Sequence, residues 1–461
     1  MAVPINPHLE GSEDRCQIND YRLSRLGLFP GTLCIECDER GRGKTDSMAD
    51  YIKEHYDFPL TTKSAHKPLT GVRVIDAGNM VAAPFATVLL ADFGADVIKI
   101  EHPKYGDGQR KLEPIMNGIP LWWKSVARNK RCITLDLGKP EGAAIFRRLA
   151  KGKDVIVENY RPGTFEKWGI GPDALRAVDP RIIMLRISGF GQTGPYKNRA
   201  GFGRVAEAMS GLTNLIGEPD GPPMSPGYPL GDLIAGIFGS LSVMMALYHR
   251  DMRGGEGQVI DLALYEAVFR FLDFDPIQYD QMKTVHMRTG NRVAYVAPSS
   301  MFKTKDGKYL TLAASTQNVW ERLAEAIGRK ELITDPKFID NPARVENSIE
   351  CNGIVGAWIE QHTRDEVIAQ FDQYGVAYSA VFDMEDAFRD VQYRAREAMV
   401  RVPDPDLGEA IVQNVVPKFS ATPGSVDFLG RKLGADNEEI YCNELGMSQD
   451  ELTELKRSGI I

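Results

Sequence analysis

No uninterrupted run of about 18 apolar residues occurs in this sequence, so no transmembrane helix is expected. The longest apolar segment, Leu233 to Tyr248, is broken by Gly236, Gly239, Ser240 and Ser242 and reads as a buried helix. The first residues, with Pro4, Glu10, Glu13 and Asp14, lack the basic-then-apolar order of a secretory signal, and a cytoplasmic address is the expectation. A basic excess is missing too. The net charge of −8 argues against nucleic acid as a partner, while a locally basic ligand pocket stays compatible with it. Cysteine is scarce: six residues do not build a disulfide framework, and Cys34-Ile-Glu-Cys37 has no second pair to complete a zinc site. No metal is expected. Two glycine signatures also fail. Gly41-Arg-Gly-Lys-Thr45 has Asp38 where a phosphate-binding loop needs glycine, and Ala77-Gly-Asn-Met-Val-Ala-Ala-Pro84 lacks GxGxxG, which argues against a nicotinamide cofactor.

What is there is an α/β pattern. The first 66 residues are polar and turn-rich and read as an extension that wraps the main body or contacts a partner. From Leu69 the pattern changes. Val72–Asp76 and Ala95–Ile100 are strand-like and flank an apolar helical stretch, Pro84–Phe93, which makes a βαβ unit and implies a parallel sheet. A further unit follows, with Cys132–Leu135, Val155–Val157 and Ile182–Ile187 as strands and Pro140–Leu149 as helix. A strand at Gln258–Leu262 comes after the long apolar helix. Asp306-Gly307 marks a hairpin that opens a smaller α+β unit, with helices near Gln317–Ile327 and Cys351–His362. The boundaries expected are 1–66 for the extension, 67–285 for a large domain, 286–385 for a small one, and 386–461 for the rest of the large one.

Asp232 stands after Gly231, just before the long helix, where its plain role is an N-cap. A carboxylate there gains from the helix dipole and stays ionised, with an ordinary pKa of about 3.9. It can attack a carbonyl without a general base, which suits a chain of only seven histidines and no evident Ser/His pairing.

Seven strings, taken in order, resemble the family III CoA-transferases, the group that contains formyl-CoA, carnitine and bile-acid CoA-transferases. They are Leu69-Thr-Gly-Val-Arg-Val-Ile-Asp76, Leu90-Ala-Asp-Phe-Gly-Ala-Asp-Val-Ile-Lys-Ile-Glu101, Val157-Glu-Asn-Tyr-Arg-Pro-Gly163, Gly189-Phe-Gly-Gln-Thr-Gly-Pro195, Pro229-Leu-Gly-Asp232, Gly257-Gln-Val-Ile-Asp261 and Asn443-Glu-Leu-Gly-Met-Ser448. The resemblance runs from about residue 68 to the end.

It implies a Rossmann-like large domain built from both chain ends, a small inserted domain, and two chains interlocked as a homodimer or as a heteromer with a related subunit. It makes Asp232 the nucleophile that moves CoA from a donor acyl-CoA, with succinyl-CoA the expected donor, to an organic acid through anhydride and thioester intermediates. No permanently bound cofactor is implied; CoA and acyl-CoA enter as substrates. CoA contacts carried over from the family are Asn79, Met80, His102, Leu135, Asn159, Tyr160, Arg161, Lys167 and Trp168. Lys139 and Arg199, each one position away from a basic family position, are weaker candidates. Gly231 and Leu233-Ile-Ala235 are candidate oxyanion donors.

Departures from the family pattern narrow the reaction. Val81 and Ala297-Pro-Ser-Ser300 replace polar gate residues of formyl-CoA transferase, which favours a larger or less polar acyl group. α-Methylacyl-CoA racemases carry histidine in a Gly-His-Asp string, and Gly201-Phe-Gly203 stands here. Phenylalanine cannot carry a proton, so transfer is favoured over racemisation. A non-catalytic subunit of a heteromer is the other alternative, and the retained Asp232 speaks against it.

Overall fold

The computed structural model describes residues 58–461. Its main sheet has six parallel strands: β1 (Arg73–Asp76), β2 (Asp96–Glu101), β3 (Lys130–Thr134), β4 (Val155–Glu158), β5 (Ile183–Ser188) and β6 (Val259–Ala263). They lie in the order β3-β2-β1-β4-β5-β6. Parallel strands need both faces covered, and these are apolar on both, as Val97, Ile98 and Ile100 in β2 illustrate. One face packs on α1 (Ala82–Asp92) and on the 23-residue α4 (Leu230–Met252); the other packs on α2 (Pro140–Ala150).

Helix α4 is long and apolar enough to cross a membrane by composition, yet it is a core helix that lies on α1 and β5. The glycines that interrupt its apolar run allow this contact. A Cβ on Gly236 would stand 2.8 Å from the Phe85 ring, and one on Gly239 would stand 2.9 Å from Leu185.

All six strands come from residues 73–263, and the C-terminal end of the chain covers the sheet edge. Asp436 and Asn437 accept the N–H groups of Cys132 and Thr134 at 2.7 and 2.9 Å, and Tyr441 donates to the Thr134 carbonyl at 2.6 Å. An open edge is a template for aggregation, and this one is closed. Of the expected N-terminal extension, residues 1–57 lie outside the described residues. Phe58 is buried against Phe388, and Leu60 and Thr61 run along Arg401 in the hairpin strand Met399–Asp404.

A second core has its own sheet. Strands β7 (Ser299–Lys303), β8 (Tyr309–Ala313) and β9 (Tyr378–Ala380) pair antiparallel in the order β9-β8-β7, with the expected Asp306-Gly307 turn between the first two. Its core, from Phe302 to Val376, includes Trp320, Leu323, Val355 and Phe371, and it falls inside the stretch 286–385 that we propose as the smaller domain. Several elements stand where none was expected, among them α3 (Gly203–Ser210), the helix Arg364–Tyr374, and the hairpin Met399–Asp404/Gly408–Gln413.

Candidate active site

In a sheet of order 3-2-1-4-5-6, successive connections leave in opposite directions between strands 1 and 4, which opens a crevice at their carboxyl ends. Here the loops after β1 and β4 meet across that crevice. The Asn79 N–H donates to Asn159 Oδ1 at 2.8 Å, and Asn159 Nδ2 returns a bond of 2.8 Å to the Asn79 carbonyl. The β1 loop is further fixed from below. Met80 has φ +65°, a conformation a non-glycine residue adopts only when held, and its N–H donates to Asn79 Oδ1 and Asp107 Oδ1, both at 2.9 Å. Buried Lys99 lies 2.8 Å from Asp107 and 3.6 Å from Asp76, and buried Lys130 lies 2.9 Å from Asp76. Burial alone would raise the Asp76 pKa, yet the two ammonium groups hold it down at about 2.

A cavity of about 290 Å³ opens above this clasp. Asn79, Met80, Asn159, Tyr160, Arg161, Ser188, Lys197, Arg199, Phe202 and Asp232 line it. The Asp232 carboxylate has no hydrogen bond and no cation within 4 Å among the described residues. Its expected role as an N-cap is corrected. Pro229 occupies that position, and Asp232 is the third residue of α4, inside the first turn. Its expected ordinary acidity is corrected too. Burial, then the Glu207 carboxylate, outweigh the helix dipole and push its pKa up to about 6. It is still ionised at neutral pH. The approach is possible because Gly203, at the start of α3, has no side chain: a Cβ there would stand 2.2 Å from Asp232 Oδ2.

Two more cavities follow in series. The second, lined by His102, Tyr105, Leu135 and Trp168, shares Asn79 and Tyr160 with the first. The third shares His102, Tyr105 and Asp136 with the second and adds Lys104, Lys139 and Lys456 at the rim. The track therefore runs from a lone carboxylate to a cluster of lysines, and it suits an extended ligand with a reactive carbonyl at one end and phosphates at the other. Lys167 does not join it; it is exposed at the end of the short helix Thr164–Lys167. Lys139 lines the rim but is already engaged, donating to the carbonyls of Ser458 and Gly459 at 2.9 and 3.1 Å.

Three further expectations are corrected. Val81 and Ala297-Pro298 are buried, and none of them lines these cavities. The Gly231 N–H donates to Glu207 Oε1 at 2.8 Å, so it is not a free oxyanion donor. The Leu233 N–H donates to the Pro229 carbonyl. Sequence reasoning missed Ser188, Lys197, Glu207, Lys104, Tyr105 and Lys456. Glu207 has the one legible signal, a Gly203-x-x-x-Glu207 spacing that puts both residues on one helix face, but α3 itself was not foreseen.

Residues 69–437 match the model of CoA-transferase family III. Two similar proteins come from Chloroflexus aurantiacus. Succinyl-CoA–D-citramalate CoA-transferase is 42% identical over 87% of this chain and all of its own length. The beta subunit of succinyl-CoA–L-malate CoA-transferase is 43% identical over 86% of this chain and 98% of its own. Among solved structures, a CAIB/BAIF family protein from Brucella suis superposes with a TM-score of 0.73 at 31% identity, over 82% of this chain and 99% of the other. A parallel sheet whose switch-point crevice holds an unpaired carboxylate, and a family match over most of the chain, lead to one assignment: this protein is a CoA-transferase of family III.

Proposed function

We propose that the enzyme takes CoA from succinyl-CoA and passes it to a short dicarboxylic acid, with Asp232 as the covalent carrier. The observation that carries this reading is the Asp232 carboxylate itself, ionised at neutral pH and unpaired in the cavity wall. A carboxylate oxygen attacks the thioester carbonyl, the C–S bond breaks, and CoA leaves as thiolate, giving a mixed anhydride on Asp232. The thiolate then attacks the aspartyl carbonyl and expels succinate. The acceptor carboxylate repeats both steps in reverse. No proton is transferred overall, which fits a cavity with no histidine among its lining residues. Phe202 occupies the place that racemisation would need for a base, and this favours transfer.

The acceptor class is revised from the sequence reading. Val81 and Ala297-Pro298 give no apolar wall, whereas Lys197 and Arg199 line the Asp232 cavity and suit a second carboxylate. The names of the two relatives carry succinyl-CoA with citramalate or malate, both dicarboxylic hydroxy acids. We propose Asn79, Met80, Asn159, Tyr160, Arg161, His102, Leu135, Trp168 and Lys139 as the CoA track, without Lys167.

We also propose that a second family III chain, a copy or a paired subunit, covers the exposed apolar side of α4, where Ile237, Met245 and Met252 are 50, 61 and 68% exposed. The existence of a malate enzyme with a named beta subunit supports the paired form. The enzyme is expected to act in the cytoplasm.

The test is trapping. Succinyl-CoA followed by hydroxylamine or borohydride should mark Asp232 by peptide mass spectrometry. Malate, citramalate and similar acids should then give higher kcat/KM than monocarboxylic acids of equal length. An unmarked Asp232 in active enzyme would sink the mechanism, and a preference for monocarboxylates would sink the acceptor class.

A further inference from the structure

Helix α3 presents Gly203 and Glu207, one turn apart, to the first turn of α4. The two helices touch through glycines: a Cβ on Gly231 would stand 2.9 Å from the Gly203 carbonyl and 3.3 Å from Glu207 Cγ. Glu207 is 2% exposed, and its Oε1 accepts the N–H of Gly231, the residue before Asp232, at 2.8 Å. Among the described residues no Lys, Arg or His lies within ion-pair distance of it. A buried carboxylate without a cation is costly, so its persistence asks for a reason.

We propose that Glu207 is the positioning residue of the nucleophile: its buried, unpaired carboxylate sits beside Asp232 so that repulsion between the two charges is released when Asp232 is acylated. The inference rests on the reading of Asp232 as nucleophile. In the acylation step the C–O bond forms, the C–S bond breaks, and the negative charge of Asp232 leaves with the CoA thiolate. Glu207 takes no covalent part in the step. Acylation is thereby favoured over the resting state without any added contact to substrate.

Other charged groups do not supply the same effect. Arg161, Lys197 and Arg199 line the same cavity, and among the described residues none forms an ion pair with Asp232. Arg204 on α3 is exposed. Helix α5 (Leu264–Phe269), packed on α3 and α4, brings Tyr265 and Glu266, which bond each other. Helix α1 brings no ionisable group before Asp92, and Arg186 of β5 is paired to Glu158 and Glu166.

The experiment is the single-turnover reaction with succinyl-CoA alone, followed as succinate release between pH 5 and 8 beside the labelling of Asp232. Glu207→Gln keeps an acceptor for the Gly231 N–H but removes the charge. It should slow acylation about three- to tenfold at pH 7.5, move the acid limb to lower pH, and leave KM for succinyl-CoA unchanged. Glu207→Asp keeps the charge and should keep the wild-type limb. An acylation rate and limb unchanged in Glu207→Gln would overturn the role of Glu207 while leaving a labelled Asp232 intact. Should Glu207→Gln fail to fold, Glu207→Asp decides alone: a limb moved to lower pH in that variant would overturn the proposal. A wild-type enzyme unlabelled at Asp232 would remove the nucleophile reading, and Glu207's role with it.

Discussion

A single residue, Asp232, joins stability to chemistry in this molecule. Its folded pKa is raised to about 6, above the unfolded value, because burial and Glu207 disfavour the charge. The folded chain therefore binds more protons than the unfolded one between about pH 4 and pH 6, and stability falls as pH rises through that window. Asp232→Asn removes the charge. At pH 7.5 it should raise the free energy of unfolding by roughly 1–3 kcal/mol, and at pH 4 it should change little. Denaturant titrations at the two pH values check this. A variant less stable than wild type at pH 7.5 would contradict the assigned acidity.

At the scale of elements, the site is a meeting of four chain segments, each held by a different device. The β1 loop stands on buried charges. Removing one partner of such a cluster leaves the others uncompensated, which costs about 3–5 kcal/mol. Lys99→Met should lose that much and loosen the Met80 loop, raising KM for CoA thioesters. Asp76 has the opposite sign to Asp232. Its depressed pKa contributes stability that is present above about pH 4 and is lost as pH falls towards 2. The α3–α4 contact stands on Gly203. In Gly203→Ala the new Cβ would overlap Asp232 Oδ2, so the carboxylate must move. Displacements near 1 Å cost about 100-fold in rate, and kcat should fall by that order while the variant stays folded by circular dichroism. Unchanged kcat would show that the carboxylate acts from another position.

At the scale of the whole molecule, the two halves of the chain complete each other. The strands of the main sheet come first in sequence, and the last residues close both the edge of that sheet and the rim of the track. Ile460 and Ile461 are buried in the core on the α2 face, and the Ser458 and Gly459 carbonyls hold Lys139. Deleting residues 458–461 should therefore do two things at once. Two buried isoleucines account for about 3–6 kcal/mol of lost stability, and the freed Lys139 should change KM for CoA thioesters while KM for the acceptor acid holds. Thermal melts and initial rates separate the two effects.

The sequence by itself determined the local and periodic features. The βαβ rhythm from Leu69, the Asp306-Gly307 hairpin and the long apolar helix were legible because side-chain period and turn chemistry act over a few residues. The proposed nucleophile and most residues of the proposed track, from Asn79 to Trp168, were named from the order of short strings. Tertiary structure alone decided what depends on approach between distant segments. Lys167 could not be told from Arg161 by sequence, since exposure at the end of a short helix is a property of packing. Val81 and Ala297-Pro298 were taken for pocket walls because they stand at the places of a family member's polar gate residues, but packing buries them away from the cavities. Asp232 looked like an ordinary carboxylate because acidity is set by burial and by Glu207, twenty-five residues away in sequence and across a glycine contact in space.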